Sequence, residues 1–381
     1  MRNERECGLY LTSILTAVLH GTEIPQLPKK LTWESVYEMS LRHGVESMVY
    51  WGIKEYLDSE SLLFKEWEGK NSQNMIQALI QEAETENLCD CFEQMGIRTI
   101  PLKGSVLRGL YSQPYFRYMG DMDFLIEEDA ASKARSFMEK LGYQVEEFGE
   151  LYHDSYVKRP YLYVELHRKL TFEDSKYRWY FDNIWDRIIP DETHPGRFRL
   201  SWEDFYIYHI VHFIKHYDHL GSGIRAIMDT YLFLQRYGTI LDQNKLTEAF
   251  EKLELEEVRR FMEELSIRWF GTKDEKENAA ETDLSDIEEK IWGSGIFGTR
   301  FFEAVKQYQN IVEEKKTFPK IRYFCQRIFM KKEWMLADYP ILDKVPILLP
   351  VCWIHRGIKA VVTKRELLER EFRLLIKKDK K

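Results

Sequence analysis

The chain has 381 residues, enough for two or three domains with a buried core. It carries 55 lysines and arginines against 63 aspartates and glutamates, and this mildly acidic balance argues against a broad surface for duplex DNA or long RNA. A small or local partner fits this balance better. Five cysteines without a pair of CxxC units argue against a disulfide framework or a structural zinc site and favour a reducing cytoplasm: Cys7, Cys89, Cys91, Cys325 and Cys352.

Two apolar stretches have to be compared with targeting and membrane segments. Residues 1–21 have apolar positions at helical spacing, acidic Glu4 and Glu6, and no small-residue cleavage site, so we expect an ordinary first helix. The stretch VPILLPVCWI, residues 345–354, contains two prolines and has about half the length that spans a bilayer. No transmembrane segment is therefore predicted, although a membrane-surface anchor formed by this second stretch stays an alternative.

Residues 1–95 are predicted to form an N-terminal helical region. Apolar positions recur at three- and four-residue spacing in TWESVYEMSLRHGVESMVYWGIKEYL and in NMIQALIQEAETENLCDCFEQMG, which ends at Gly96. The period then changes in IRTIPLKG, a short β-rich run that ends in Lys103 and Gly104. Because SVLRGLYS follows with a helical pattern, we expect a strand, a turn and a helix in this order.

Residues 96–200 are predicted to form a small mixed α/β core. An acidic strand over residues 121–126 precedes a helix over residues 130–140 and the short run YQVEEF. Two aromatic-rich strands, LYHDSYVK and YLYVELHR, follow, and a tight turn at Arg159-Pro160 joins them. The core should therefore combine a small sheet with helices.

Residues 201–381 are predicted to be almost wholly helical from Trp202 onward. Helix ends are expected at Gly221, Gly238 and Gly271, and GTKDEKENAAETD is expected to be an exposed loop. The predicted fold class is therefore α+β, with a small mixed β-sheet core between N-terminal and C-terminal helical regions.

Three acidic residues of the core favour a cation site. Side chains alternate along a strand, so Asp121 and Asp123 share one face and repel each other unless a positive charge lies between them. In YLYVELHR the same alternation places Glu165 and His167 together, and Glu165 becomes a third carboxylate if the two strands are neighbours. Oxygen ligands suit magnesium. Taken singly, the Asp pair is a common pattern and Glu165 can equally face solvent.

The turn LKGS offers a place for phosphate. Gly104 and Ser105 stand at a predicted helix start, where free backbone N–H groups and the helix dipole can hold phosphate oxygens. Alone, the pair can equally be an ordinary turn with a serine cap. Together with the three carboxylates, it predicts a phosphate-transfer site.

The order PLKGS, RYMGDMDFLI, VELHRKL resembles the polymerase-β-type nucleotidyltransferase superfamily. It is similar in particular to bacterial nucleotidyltransferase-like proteins with an LKG turn, an R-x-x-x-D-x-D strand and an E-L-H strand. The resemblance implies that Gly104 and Ser105 contact a nucleotide triphosphate. It also implies that Asp121, Asp123 and Glu165 bind two Mg²⁺ ions. In this chain a lysine, Lys103, precedes the glycine, and its ammonium either reaches a phosphate or is exposed.

The resemblance implies an enzyme that transfers a nucleoside monophosphate from an NTP such as ATP to a hydroxyl, with release of pyrophosphate. Glu165 would lie beside the attacking hydroxyl and help to deprotonate it. His167 orients a phosphate, supports Glu165 or packs in the core. Arg117 either neutralises phosphate charge or lies at the surface. The acceptor is a small molecule, a carbohydrate or a protein. The alternative is a non-catalytic nucleotide-binding or regulatory module.

The stretch HIVHFIKHYDHL places four histidines on one helical face: His209, His212, His216 and His219. They cannot all reach one ion, because about 15 Å of helix separates the first from the last. We therefore interpret them as a polar face that lines a cleft, opposite the nucleotide. On the next helix, Arg225 and Asp229 form either a plain i,i+4 salt bridge or a pair that binds the base or the acceptor.

Overall fold

The structure is a computed structural model. It describes residues 2–149, 152–192, 194, 197–219, 222–279, 282–295, 339, 345–353 and 355. Helices surround a five-stranded mixed sheet, so the predicted α+β class is confirmed.

The elements follow the chain in the predicted order. The helices are α1 (Arg2–His20), α2 (Trp33–His43), α3 (Glu46–Ile53), α4 (Leu62–Gln94), α5 (Gly104–Leu107), α6 (Ala131–Lys140), α7 (Arg178–Phe181), α8 (Trp202–His219), α9 (Ile224–Tyr237), α10 (Gln243–Lys252), α11 (Glu256–Phe270), α12 (Lys273–Glu277) and α13 (Ser285–Ser294). The strands are β1 (Thr99–Pro101), β2 (Met122–Ile126), β3 (Gln144–Glu147), β4 (His153–Lys158), β5 (Leu162–His167), β6 (Ile189–Pro190) and β7 (Phe198–Arg199).

The main sheet has the strand order β1-β2-β5-β4-β3. Strands β2 and β5 are parallel, and the other neighbours are antiparallel. All five residues of β2 are buried, as expected for a strand whose two faces are both covered. The strand with the acidic pair is therefore at the centre of the fold.

The two faces of β2 pack against different apolar clusters. Phe124 and its face-mates contact a cluster that includes Leu88 of α4 and Met138 of α6. Leu125, on the opposite face, joins a larger cluster built from helices of both the N-terminal and the C-terminal regions. Because side chains alternate, Asp123 points to the same side as Leu125. This acidic residue therefore faces the helical regions.

Two sequence predictions for the C-terminal region need correction. Part of the predicted loop GTKDEKENAAETD is the helix α12, because Thr272 and Glu275 form a reciprocal capping box. The small pair β6 and β7 was not predicted, since two-residue strands carry no periodic signal. The predicted helix ends at Gly238 and Gly271 are confirmed, whereas Gly221 lies outside the described residues.

The chain divides into two compact units, residues 1–217 with 222–296, and residues 218–221 with 297–381. The site described below belongs to the first. In the second, the described residues include a single 3-10 turn, Pro346–Leu348, within the apolar stretch considered above. Among the described helices, none has both the length and the apolar character needed to cross a bilayer.

Candidate active site

The parallel pairing of β2 with β5 brings three polar side chains together on one face of the sheet. Asp123 is the register partner of Glu165, and Leu125 is the partner of His167. The expectation that these strands are neighbours is therefore confirmed. Asp123 and His167 are buried, whereas Glu165 is partly accessible. One ligand atom from each of these three residues lies within 4.8 Å of the others.

Hydrogen bonds converge on a single carboxylate oxygen in this cluster. Lys103 Nζ donates to Asp123 Oδ1 at 2.6 Å, and His167 Nε2 lies 2.7 Å from the same oxygen. The same His167 nitrogen is 3.3 Å from Glu165 Oε2, and His153 Nε2 is 3.7 Å from Glu165 Oε1. One ammonium and two imidazole nitrogens therefore lie beside two neighbouring carboxylates.

The charges of the cluster shift the pKa values of its members. Burial raises the pKa of Asp123, but the charges of Lys103 and His167 outweigh burial and hold this pKa well below its usual range. Burial and the charge of Asp123 raise the pKa of Glu165, but the combined effects of His167 and Lys103 are larger, so the net pKa is lowered. Both carboxylates are therefore ionised at neutral pH and able to act as ligands.

Asp121 lies at the edge of the cluster. It directly precedes β2 and is an exposed residue. Reduced hydration by the nearby protein atoms, together with the charge of Asp123, raises the pKa of Asp121 to about 6. Asp121 is not part of the three-residue group whose ligand atoms lie close together.

The predicted turn between β1 and α5 approaches Asp123 through its lysine. Lys103 has a φ of 41°, a left-handed conformation that is uncommon for a lysine. A Cβ atom on Gly104 would lie 2.5 Å from Met119 Sδ and 2.9 Å from Arg117 Nη1, so a larger residue here would force these side chains to shift. The Ser105 hydroxyl is buried, and no described residue forms a hydrogen bond with it. Because α5 has only four residues, the contribution of a helix dipole is small.

Arg117 and Asp229 form a buried pair beside this turn. Arg117 Nε and Nη2 donate to Asp229 Oδ1 and Oδ2, each at 2.8 Å, and the Tyr111 hydroxyl also donates to Oδ1 at 2.8 Å. Arg117 is therefore neither at the surface nor free for a phosphate in this arrangement. Among the described residues, Arg225 forms no ion pair with Asp229 and instead donates to the Tyr118 carbonyl at 2.5 Å. The i,i+4 salt bridge considered for α9 is thus absent from the described contacts.

The histidines of α8 have individual environments. His209 Nε2 lies 2.9 Å from the Thr230 hydroxyl, and the rings of His212 and His216 are 4.5 Å apart. Burial, reinforced by nearby lysine charges, lowers the pKa of His216 to about 4. The side chain of His219 lies outside the described residues. The role of this face as a cleft wall stays a prediction.

Two residues near the cluster were missed by the sequence reasoning. Lys215 of α8 donates to the Tyr152 hydroxyl at 2.6 Å and lies 4.5 Å from the centre of the Phe172 ring. Burial, reinforced by the charge of Lys103, lowers the pKa of Lys215 to about 8.

His153 of β4 is the second residue that the sequence reasoning missed. The tight turn between β4 and β5 pairs Lys158 with Leu162, and counting back from it pairs His153 with His167. The sequence therefore contained the signal for His153.

The cluster passes a simple test as a divalent-cation site, because three side chains offer oxygen and nitrogen ligand atoms within one small volume. Asp123 and Glu165 would hold the ion, and His167 adds a nitrogen donor. A mixed sheet with a carboxylate centre beside a glycine turn is the arrangement expected for a phosphoryl-group transferase.

Comparison with known proteins identifies the class. Residues 29–271 match the model of a family described as uncharacterised nucleotidyltransferase, which covers more than half of the chain. The chain therefore belongs to this nucleotidyltransferase family. The match includes the turn, both carboxylate strands and the helices α8 and α9. No curated protein and no solved structure matches the chain.

Proposed function

We propose that the chain is a metal-dependent nucleotidyltransferase that moves a nucleoside monophosphate from an NTP to a hydroxyl. The observation that supports this proposal most is the register match of Asp123 with Glu165 on neighbouring parallel strands. The Lys103 turn approaches the same carboxylate, and the family assignment is consistent with this chemistry. A small molecule, a carbohydrate or a protein is the proposed acceptor.

The cations around the cluster would bind the triphosphate. Lys103, Gly104 and Ser105 form the proposed phosphate turn, and the unpartnered Ser105 hydroxyl is available as a donor. Lys215 and Arg225 form no ion pair with a carboxylate among the described residues, so their charges are also available to phosphate oxygens. Arg117 is bound to Asp229, and in this proposal it positions the segment that leads to Asp121.

The carboxylates would have two roles, metal binding and proton removal. A divalent cation held by Asp123 and Glu165, with Asp121 beside them, would supply neutralisation of phosphate charge. Glu165 is more accessible than Asp123 and would accept the proton of the attacking hydroxyl. His167 contacts both carboxylates and would fix their orientation. Removal of the proton from the acceptor and neutralisation of the phosphate thereby occur on one sheet face.

The wider context of the activity is also proposed. We propose a cytoplasmic enzyme in which residues 1–95 and 201–381 are helical regions that flank the transferase core of residues 96–200. The alternative is a nucleotide-binding or regulatory module of the same fold. The presence of all three carboxylates, Asp121, Asp123 and Glu165, favours the enzyme, because a module without turnover would not need to keep every carboxylate of the site.

The test measures nucleotide binding and transfer separately. The purified chain is incubated with each of the four common NTPs, labelled at the α-phosphate, a divalent cation, and an extract that supplies small-molecule, carbohydrate and protein acceptors. We expect labelled product and released pyrophosphate, and we expect Asp123→Asn and Glu165→Gln to abolish both. Asp129→Asn, within the 3-10 turn before α6, is the matched carboxylate control.

The outcomes separate the two candidate functions. An NTP that binds only the native state raises the melting temperature, because binding adds RT ln(1 + [L]/Kd) to the free energy of unfolding. A shift without transfer to any acceptor would favour the regulatory module. No shift with any of the four NTPs at millimolar concentration would contradict both.

A further inference from the structure

Nitrogen donors are part of the candidate metal centre. His167 Nε2 is 2.7 Å from Asp123 Oδ1 and 3.3 Å from Glu165 Oε2. His153 Nε2 is 3.7 Å from the other oxygen of Glu165. Each oxygen of the Glu165 carboxylate therefore has an imidazole nitrogen beside it. The centre is a mixed set of imidazole and carboxylate groups, not a set of carboxylates alone.

The fold holds the His167 ring in place. His167 has no exposed surface, and its ring centre lies 5.1 Å from that of His153 and 5.3 Å from that of Tyr152. The strand pairing fixes its backbone next to Leu125 on one side and His153 on the other. A ligand that is fixed in this way does not lose side-chain freedom when it binds an ion.

The ring can present its Nε2 lone pair to a cation. The other nitrogen, Nδ1, is buried and has no hydrogen-bond partner among the described residues. Without an ion, the Nε2 proton faces the carboxylate of Asp123. When a cation takes the place of this proton, the proton can reside on Nδ1, because no described group donates a hydrogen bond to that nitrogen. In this tautomer Nε2 becomes a ligand atom that faces Asp123 and Glu165.

Ligand chemistry then favours one class of ion. Mg²⁺ prefers oxygen ligands and gives up its water reluctantly, whereas imidazole suits the first-row transition metals. Mn²⁺ accepts both nitrogen and oxygen, and it binds phosphate oxygens as well. We propose that this centre takes Mn²⁺ in preference to Mg²⁺, with His167 as a direct nitrogen ligand and His153 as a neighbouring one. This inference rests on the proposed function, because it concerns the ion of the same site.

The first experiment detects the nitrogen ligand directly. Chelator-treated full-length chain is loaded with Mn²⁺, and pulsed electron paramagnetic resonance measures coupling between the ion and ¹⁴N nuclei. We expect ¹⁴N coupling in the parent protein. In protein grown with ¹⁵N-labelled histidine, we expect the ¹⁴N signal to be replaced by a ¹⁵N signal. This comparison needs no substitution, so it does not depend on whether a variant folds.

The second experiment measures the preference by titration calorimetry. The parent protein should bind Mn²⁺ tighter than Mg²⁺ by on the order of tenfold or more, as imidazole ligation favours the transition metal. His167→Asn should lose the coupling and most of the preference, and the less buried His153→Gln should show a smaller loss of preference. His194→Gln, at an exposed position outside the cluster, is the control and should behave like the parent.

The outcomes distinguish this inference from the proposed function. Tight Mn²⁺ binding without histidine coupling, or equal affinity for Mg²⁺, would overturn the nitrogen-ligand inference and leave the transferase proposal intact. No binding of either ion, with or without NTP, would overturn both. Retention of coupling in His167→Asn and in His153→Gln would assign the nitrogen to another residue and would also overturn the inference.

Discussion

Two buried aspartates, Asp123 and Asp229, are each bound by a cation, and the two arrangements differ in kind. Asp229 receives both arms of the Arg117 guanidinium, one on each oxygen, and a further hydrogen bond from Tyr111. Asp123 receives Lys103 and His167 on one oxygen. A planar fork fixes the geometry of the first pair, whereas a lysine is a point charge on a flexible stem.

In the proposed mechanism, this difference assigns Asp229 to the fold and Asp123 to the chemistry. The guanidinium and Tyr111 engage both oxygens of Asp229, so exchanging them for a ligand would break several bonds at once. The single ammonium contact of Asp123 can be exchanged for a metal ion or a phosphate with less rearrangement. We therefore expect substitution of Asp229 to lower mainly the stability and substitution of Asp123 to lower mainly the activity.

The largest effect should follow from Asp229→Asn. Removal of one partner of a buried ion pair leaves an uncompensated charge, here on Arg117, and costs about 3–5 kcal/mol of unfolding free energy. Urea denaturation of the parent and the variant measures the difference. The double variant Arg117→Met/Asp229→Asn should recover part of the loss, because no buried charge is left unpaired. A loss below about 1 kcal/mol, the size expected of an exposed pair, would contradict the structural role.

Asp123→Asn should affect activity more than stability. The substitution keeps the shape but removes one negative ligand, so transfer should fall by about 10²–10³-fold, as for the loss of one preorganised electrostatic contact. The unfolding free energy should also fall, because Lys103 loses its anionic partner, but less than in Asp229→Asn. Lys103 is less buried than Arg117, and the substitution also removes the repulsion between Asp123 and Glu165. A labelled-nucleotide assay in which this variant matches the parent would exclude β2 as the catalytic strand.

Lys103→Met tests whether the Lys103 ammonium, which contacts Asp123 in the structure, also binds phosphate. Loss of a charge-assisted hydrogen bond should weaken NTP binding by about 1.5–3 kcal/mol. Thermal shift at increasing NTP concentration measures this affinity. Lys169→Met, a lysine that pairs with the exposed Glu173, is the matched control and should bind NTP like the parent. Equal NTP affinity in Lys103→Met and the parent would show that the ammonium serves Asp123 only.

The pH dependence of stability should report Asp121. Its pKa is raised to about 6, so the folded chain binds this proton more tightly than the unfolded chain does. The resulting stabilisation is fully present below the unfolded pKa near 4 and is lost as pH rises through 6. After allowance for solvent screening, we expect Asp121 to change the free energy of unfolding by about 1 kcal/mol across this pH range. Urea denaturation at several pH values measures the free energy of unfolding of the parent and of Asp121→Asn. The difference between these two free energies should change between about pH 4 and pH 6.

The smallest effect is expected from Asp129→Asn. Asp129 is in the 3-10 turn that precedes α6, so the substitution should cost at most a dipole contribution of about 1 kcal/mol. Transfer and metal binding should match the parent. A large loss of activity here would show that the reactive carboxylates extend beyond the sheet face of Asp123.

Local sequence patterns predicted most of the fold. Alternation along VELHRKL placed Glu165 and His167 on one face, and the apolar run after Asp123 marked a buried strand. Helix ends at Gly238 and Gly271 followed from glycine punctuation. These features depend on residues that are close together in the chain, so a single sequence was sufficient to predict them.

Contacts between distant residues could not be predicted in the same way. Arg117 and Asp229 are 112 residues apart, and no periodicity indicates that they would pair. The placement of Lys215 beside Tyr152 likewise depends on how α8 packs on the sheet. The histidine pattern of α8 drew attention away from this lysine. The roles of the site residues stay predictions, which the experiments above address.

The Arg117–Asp229 pair has a consequence for how the protein opens. It joins the segment before β2 to α9, and the larger apolar cluster likewise combines Leu125 with helices from both ends of the first unit. Residues 96–200 cut out of the chain would expose Leu125 and leave Arg117 without its partner. Amide hydrogens of β2 and α9 should therefore exchange with solvent together, in one cooperative opening with a common free energy. The five-stranded sheet and the helices around it would then be a single folding unit.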